Sequence, residues 1–252
     1  MVRRNWTEKE LIVAFHLYCC TPLRKIDNSN PEIVEIAKLI NRTPSAVSLK
    51  LANFIHLDPN LKKKGIKGLS HGGKKDKVIW DKFNNDWIGL LNESQDILLE
   101  FMTKEEMYST IQVNDMQGVD IKRIAKSRNN QSFFRKAILA SYDNKCCITG
   151  ISNPALLVAS HIIPWAKDKK NRMNPSNGLC LNALHDKAFD KGLLSVTPDF
   201  YIKLSKELLK SVENTKEEKF FIPYQEKKIL LPQRFLPSSE FLEYHSSEVF
   251  LG

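Results

Sequence analysis

The sequence predicts an α+β protein in which a helical module is followed by a small domain of short strands and one short helix. Through residues 1–88 the apolar residues recur at the three- and four-residue spacing of helices. From residue 155 onward they form short runs of strand length, separated by polar loops. We therefore expect a helical module over residues 1–88, a partly helical connector over 89–127 and a second domain over 128–252.

The charge of the chain is unevenly distributed along its length. The net charge is +9, of which residues 1–88 carry +7, residues 89–127 carry −3 and residues 128–252 carry +5. Lysine and arginine bind polyanions because neutralising phosphates releases condensed counterions. The two basic blocks indicate nucleic acid as a partner, although many basic proteins bind none.

The composition argues against several other classes of protein. No apolar run approaches the ~18 residues that a membrane span needs, and Glu8 and Glu10 precede any long apolar region, unlike a secretory signal. The five cysteines include no Cys-x-x-Cys pair, so neither a disulfide scaffold nor a structural zinc site is expected. We expect a cytoplasmic protein with no membrane attachment and no small-molecule cofactor.

The helical module has the pattern of a helix-turn-helix. Thr7 is suited to cap the first helix, a second helix is expected from Ile33 to Ile40, and Thr43-Pro44 opens a third. The polar face of this third helix is expected to stand free, and its candidates for DNA contact include Ser45, Ser48 and Lys50. An ordinary three-helix core that contacts no DNA would show the same pattern.

A lysine- and glycine-rich segment follows the third helix. Glycine permits close backbone approach and lysine supplies charge, so we interpret the segment as a loop along DNA phosphates. A solvated surface loop is the alternative. Its candidate contacts are Lys62, Lys63, Lys64, Lys67, Lys74 and Lys75. Arg135 and Arg172 are further candidates for phosphate contact, or else for surface ion pairs.

The residues that indicate chemistry lie between positions 160 and 190. His161 closes an apolar strand, Asn177 follows sixteen positions later, and His185 and Asp186 begin a short helix. This order can fold as a β-hairpin packed against one helix, with a cation at the corner. A histidine with a pKa of ~6.5 can accept a proton from water near neutral pH. Taken alone, the histidine would more often be a satisfied core residue than a catalyst.

Either residue of the His-Asp pair can offer a ligand to a divalent metal, Asp186 an oxygen and His185 a nitrogen. The amide of Asn177 cannot act as an acid or a base, but it can hold the loop that positions His161. It can equally serve as a turn residue, since an Asn-Gly step suits a tight turn.

These residues resemble the HNH nuclease family, in the branch of predicted restriction endonucleases. The resemblance covers residues 128–205 closely and the first 88 residues more loosely. Its blocks are Ser-His-Ile-x-Pro-Trp at 160–165, Asn-Gly-Leu at 177–179 and His-Asp-x-x-Phe-Asp at 185–190. One departure is Ser160, where many members have an acidic residue or a histidine that binds the metal.

The resemblance implies a ββα-metal domain that hydrolyses phosphodiester bonds. His161 would be the general base and Asn177 would orient it. Asp186 would bind the metal, with His185 as a rival or auxiliary ligand. Oxygen ligands favour Mg²⁺ or Mn²⁺, whereas a histidine ligand would also admit Ni²⁺.

We therefore expect a restriction-type endonuclease that acts on double-stranded DNA, and we expect the helical module, residues 1–88, to bind the duplex. Because one HNH site cuts one strand, a double-strand break favours a homodimer. Two alternatives remain open: a DNA-binding regulator whose HNH-like domain is inert, and a nicking or homing-type HNH nuclease.

Overall fold

The computed structural model describes residues 4–69, 72–101 and 132–252. The chain divides into two compact units, Met1–Ala137 and Ile138–Gly252. The boundaries predicted after residues 88 and 127 stay predictions, and most of the predicted connector, residues 102–127, lies outside the described residues. Helices and two small antiparallel sheets make up the described chain, which confirms the α+β class.

The first unit is helical. Its helices are α1 (Glu8–Cys20), α2 (Pro31–Leu39), α3 (Pro44–Leu57), α4 (Pro59–Lys63), α5 (Lys74–Phe83) and α6 (Trp87–Phe101). Residues 132–141 are also helical (α7), and the boundary between the units falls within this helix, after Ala137. Helix α1 packs against α3, α5 and α6. None of the helices in the described ranges combines the length and the apolar character needed to cross a membrane.

The starts of the first three helices follow the caps visible in the sequence. Thr7 forms a capping box with Glu10 at the start of α1, and Asn30 and Thr43 cap α2 and α3 through their side chains. A cap satisfies backbone N–H groups that have no partner within the helix, so it sets where the helix begins. Between α2 and α3, Asn41 adopts a left-handed φ of 52°, which asparagine tolerates better than most residues.

The core of this unit is aromatic and centres on α1. Phe15 lies against Phe54 of α3, with ring centroids 5.0 Å apart, and against Trp80 of α5 at 5.5 Å. Phe15 and Phe54 are fully buried. Val47 and Leu51 of α3 are fully buried as well, so α3 presents an apolar face to the interior.

The prediction that the polar face of α3 stands free is wrong for Lys50 and Asn53. Lys50 is 8% exposed, and its Nζ lies 2.8 and 2.9 Å from the two carboxylate oxygens of Asp76. The Nδ2 of Asn53 donates to the same carboxylate at 3.1 Å. The reason is that α5 docks over this face and carries a carboxylate in its first turn.

The second unit is built on two hairpins and short helices. Its elements are β1 (Leu157–His161), β2 (Gly178–Asn182), α8 (Ala183–Asp190), β3 (Leu194–Val196), β4 (Ile202–Leu204), α9 (Lys206–Val212) and α10 (Ser239–Glu248). Strands β1 and β2 pair antiparallel, with Ala159 opposite Cys180. Helix α8 packs against both strands, so the predicted hairpin with one helix is confirmed.

Strand β2 and helix α8 follow one another without a loop. Every residue of β2 is buried, and its last residue, Asn182, caps α8 by accepting hydrogen bonds from the backbone N–H groups of Leu184 and His185. The direct join fixes the start of α8 relative to the hairpin.

A buried carboxylate ties the start of the chain to α1 and to the turn between α2 and α3. Glu10 is 2% exposed and accepts hydrogen bonds from Arg42, at 2.9 and 3.2 Å, and from the backbone of Thr7. Arg4 pairs with it at 2.6 Å. Although burial by itself raises the pKa of Glu10, these donors lower it from 4.5 to about 2.

We expect Glu10→Gln to destabilise the protein by about 1.5–3 kcal/mol at pH 7, because hydrogen bonds to a charged group are lost. The folded-state pKa lies below the unfolded value, so the contribution of Glu10 is present above pH 4.5 and is lost as the pH falls toward about 2. The gap in unfolding free energy between the natural protein and the variant, measured in urea, should therefore narrow over that range.

The matched control is Asp81→Asn, which breaks the exposed ion pair between Lys77 and Asp81 on α5. An exposed pair of this kind contributes little, so the change should stay under about 0.5 kcal/mol. Equal losses in the two variants, or a gap that is independent of pH, would contradict the assignment.

Candidate active site

The hairpin places His161 at the end of a strand, as predicted. His161 is the last residue of β1 and lies opposite Gly178, the first residue of β2. Directly beyond this pair, the backbone N–H of Ile162 donates to the carbonyl of Asn177 at 3.0 Å. The backbone hydrogen bonds between β1 and β2 therefore continue one bond past His161. This bond fixes the two ends of the loop 163–176 relative to each other.

The imidazole of His161 is held from two sides by the loop. Its Nε2 lies 3.0 Å from the carbonyl oxygen of Arg172, and the ring meets that of Trp165 edge-on, with centroids 5.4 Å apart. A carbonyl only accepts, so Nε2 carries the proton of this bond and Nδ1 is the basic nitrogen of the neutral ring.

The environment of His161 favours the neutral ring. Burial lowers its pKa below 6.5, and the positive charge of Arg172 acts in the same direction, whereas the hydrogen bond to the Arg172 carbonyl opposes them. A ring that is neutral at neutral pH can accept a proton, which is what a general base requires.

Asn177 closes the loop that follows His161. Its side chain is buried, with 1% exposure. The Oδ1 atom accepts from the backbone N–H of Ile163 at 2.8 Å, and the Nδ2 atom donates to the carbonyl oxygens of Ile163 and Asn171, each at 3.3 Å. Thus Asn177 holds the two arms of the loop together.

Asp186 lies beside the end of β1. It stands in the first turn of α8, and its carboxylate lies near enough to the side chain of Ser160, the residue before His161, for that hydroxyl to lower its pKa. Burial raises the pKa of Asp186, and the neighbouring charge of Asp190 raises it further, against the effects of Ser160 and Lys187. The structure thus brings the predicted carboxylate next to the strand end that carries the predicted base.

His185 does not support the alternative of a histidine ligand. It is 1% exposed; its Nδ1 accepts from Asn182 Nδ2 at 2.7 Å, and its Nε2 lies 2.8 Å from the carbonyl oxygen of Phe220. A metal could bind the ring only by displacing one of these partners. Since successive residues of a helix point in different directions, His185 faces the core whereas Asp186 faces Ser160.

The groups around Asp186 fit a hard divalent cation. No cluster of three or more histidine, cysteine, aspartate or glutamate side chains suited to a metal occurs in the ranges that the structure covers. Mg²⁺, however, is commonly held by one or two carboxylates, with water and substrate phosphates completing its shell. Asp186 and Asp190 are two such carboxylates, and a cation would offset the burial and repulsion that raise the pKa of Asp186.

The other predicted contact residues lie in different surroundings. Arg172 belongs to the site itself: its Nε donates to the carbonyl of Trp165 at 2.7 Å, and its guanidinium lies 5.0 Å from the centre of that ring. In the first unit, Ser45 is exposed, Ser48 and Arg135 are half-buried, and all six lysines between positions 62 and 75 are exposed.

Sequence reasoning missed two residues that support the site. Asn182 both caps α8 and bonds to His185, and its place directly before a short helix was the available signal. His245, to which the sequence assigned no role, stacks on Phe189 at 3.7 Å and lies 3.2 Å from the carbonyl of that residue through Nε2. No local pattern pointed to that contact, because the two residues are 56 positions apart.

Comparison with known families agrees with this geometry. Residues 146–197 match the family of HNH endonucleases, a range that contains β1, β2, α8 and β3. No curated protein matches the chain. The chain is thus similar to the HNH endonucleases over residues 146–197, the part that carries the hairpin, α8 and the residues His161, Asn177 and Asp186.

Proposed function

We propose that the chain is a restriction-type endonuclease that hydrolyses phosphodiester bonds of double-stranded DNA, with His161 as the general base. The observation that carries this proposal is the 3.0 Å contact between His161 Nε2 and the Arg172 carbonyl. It assigns the basic lone pair of the neutral ring to Nδ1, within a domain of the HNH endonuclease family. A water molecule becomes a nucleophile by giving a proton to such a base.

Asn177 acts as a positioning residue in this proposal. A general base works only within hydrogen-bond reach of the proton that it takes. The bonds of Asn177 to Ile163 and Asn171 hold the loop whose Arg172 carbonyl orients the imidazole. The amide therefore acts on the base through the backbone and does not take part in proton transfer.

Asp186 is the proposed metal ligand, with Ser160 and Asp190 beside it. When bound, a divalent ion stabilises the negative charge that develops on the phosphate and on the leaving oxygen. The oxygen donors favour Mg²⁺ or Mn²⁺, and the two hydrogen bonds of His185 count against Ni²⁺ bound through that ring.

A single site of this kind cuts one strand of a duplex. Cleavage of both strands then needs two sites, and a symmetric homodimer is the commonest arrangement that supplies them. We include the homodimer in the proposal on that ground.

One observation favours a second candidate, a DNA-binding regulator with an inert HNH-like domain. Ser160 stands where a metal-binding side chain is common in the family. The position of Ser160 beside Asp186 weakens this alternative, because the hydroxyl lowers the pKa of the proposed ligand and so favours its charged form.

We expect His161→Gln to reduce Mg²⁺-dependent cleavage of plasmid DNA by a factor of about 10² to 10⁴, the usual contribution of a general base. The amide of glutamine can still donate to the Arg172 carbonyl but has no basic nitrogen. Cleavage rates and melting temperature would be measured together.

Glu243→Gln, on the exposed face of α10, is the control and should cleave normally. Normal activity of His161→Gln would rule out its role as the base, and retardation of plasmid without any cleavage by the natural protein would favour the regulator.

Asp186 and His185 should respond differently to substitution. Asp186→Asn should leave the melting temperature nearly unchanged and raise the Mg²⁺ concentration needed for half-maximal cleavage, whereas EDTA should abolish cleavage by the natural protein. His185→Ala removes two buried hydrogen bonds and should cost about 1–3 kcal/mol of stability, while the folded fraction keeps its normal Mg²⁺ requirement. The reverse pattern would show that the histidine is the ligand.

A further inference from the structure

Several helical lysines of the first unit are paired with carboxylates: Lys9 with Glu100, Lys77 with Asp81, Lys82 with Glu93 and Lys136 with Glu32. Six exposed lysines run from the end of α4 to the start of α5, and we call them the lysine ridge: Lys62, Lys63, Lys64, Lys67, Lys74 and Lys75. Within the described ranges, five of them have no carboxylate at ion-pair distance: Lys62, Lys63, Lys67, Lys74 and Lys75.

The backbone lies close to α3 at two glycines of this segment, Gly68 and Gly72. A side-chain carbon at Gly68 would overlap the carbonyl oxygen of Ala52 and the amide nitrogen of His56. One at Gly72 would lie 3.6 Å from the side chain of Asn53. The lysine ridge therefore follows one stretch of α3, and only glycine permits the approach at position 68.

A buried ion pair beneath the ridge holds its second half in place. Asp76, in the first turn of α5, is 1% exposed. Its carboxylate accepts from Lys50 Nζ at 2.8 and 2.9 Å, from Asn53 Nδ2 at 3.1 Å and from the backbone N–H of Gly73 at 3.0 Å. The start of α5, which carries Lys74 and Lys75, is thus attached to α3.

Five lysines of the ridge have no carboxylate at ion-pair distance in the described ranges to offset their charge, so the ridge is suited to an external polyanion. Phosphates along a duplex fit this surface because a lysine binds phosphate as a point charge, without reading the base sequence. A surface that is already held against a helix at Gly68, Gly72 and the start of α5 needs less ordering on binding than a loop without such contacts.

We propose that the lysine ridge is a preformed surface for the phosphate backbone of double-stranded DNA, and that Lys50 positions it through Asp76 without contacting DNA. The proposal rests on the proposed function only in taking duplex DNA as the substrate. The two can fail separately, because binding is measurable in EDTA, where no cleavage is expected.

The test measures the dissociation constant of a fluorescent DNA duplex in EDTA over a series of salt concentrations. Each phosphate contact contributes about 0.9 to the slope of log K against log salt. Lys67→Met and Lys74→Met should each lower that slope by about 1 and weaken binding about eightfold at 0.1 M salt. Lys9→Met, which breaks a lysine–carboxylate pair elsewhere in the unit, should change neither quantity.

Lys50 is tested with a charge-neutral pair of substitutions. Lys50→Met alone leaves the Asp76 carboxylate buried and unpaired, so binding should weaken at least as much as in Lys67→Met. The double variant Lys50→Met with Asp76→Asn keeps an acceptor for the Gly73 N–H and should bind with the natural slope. If the Lys50→Met variant does not fold, the salt slope of the double variant alone decides whether Lys50 contacts DNA.

Three results would overturn the proposal. The first is an unchanged salt slope in both Lys67→Met and Lys74→Met, which would remove the ridge from the DNA contact. The second is a slope lowered by about 1 in the double variant, which would make Lys50 a phosphate contact. The third is plasmid cleavage without measurable duplex binding in EDTA, which would reject the ridge while leaving the nuclease proposal intact.

Discussion

The side chain of Asn177 closes the loop between the two strands of the hairpin, and the orientation of His161 depends on that closure. Its three hydrogen bonds join Ile163, next to the strand end, with Asn171, next to the residue whose carbonyl contacts the imidazole. Because Asn177 is buried, these bonds do not compete with water. A fourteen-residue loop, 163–176, is thereby held at both arms by one amide group.

Both units contain other buried polar side chains whose hydrogen-bond partners lie far away in the sequence. Glu10 joins α1 to the turn before α3, Asp76 joins α5 to α3, and His185 joins α8 to the segment around Phe220. If one partner is removed, the other stays buried without a hydrogen-bond partner. This lowers the free energy of unfolding by more than an exposed ion pair contributes to it. These groups therefore specify how the elements are arranged, whereas the apolar core mainly supplies the driving force.

The domain that matches the HNH endonucleases was predictable in its elements and in the placement of His161 at a strand end. The apolar runs, the Asn-Gly step and the short helix after them led to a hairpin with one helix, and the structure has β1, β2 and α8 in that order. His161 ends β1, and Asp186 lies beside Ser160. What remained open was the choice between Asp186 and His185, because adjacent residues of a helix cannot be assigned to core or surface without knowing what packs on them.

The sequence by itself determined the features that depend on neighbours in the chain. Caps such as Thr7 and Thr43, the starts of their helices and the strand ending at His161 arise from interactions over a few residues, so local patterns indicate them. Only the tertiary structure decided which polar side chains are buried. Lys50 meets Asp76 across 26 positions and His185 meets Phe220 across 35. The free energy of such contacts depends on how separate elements pack, and no spacing within one element encodes it.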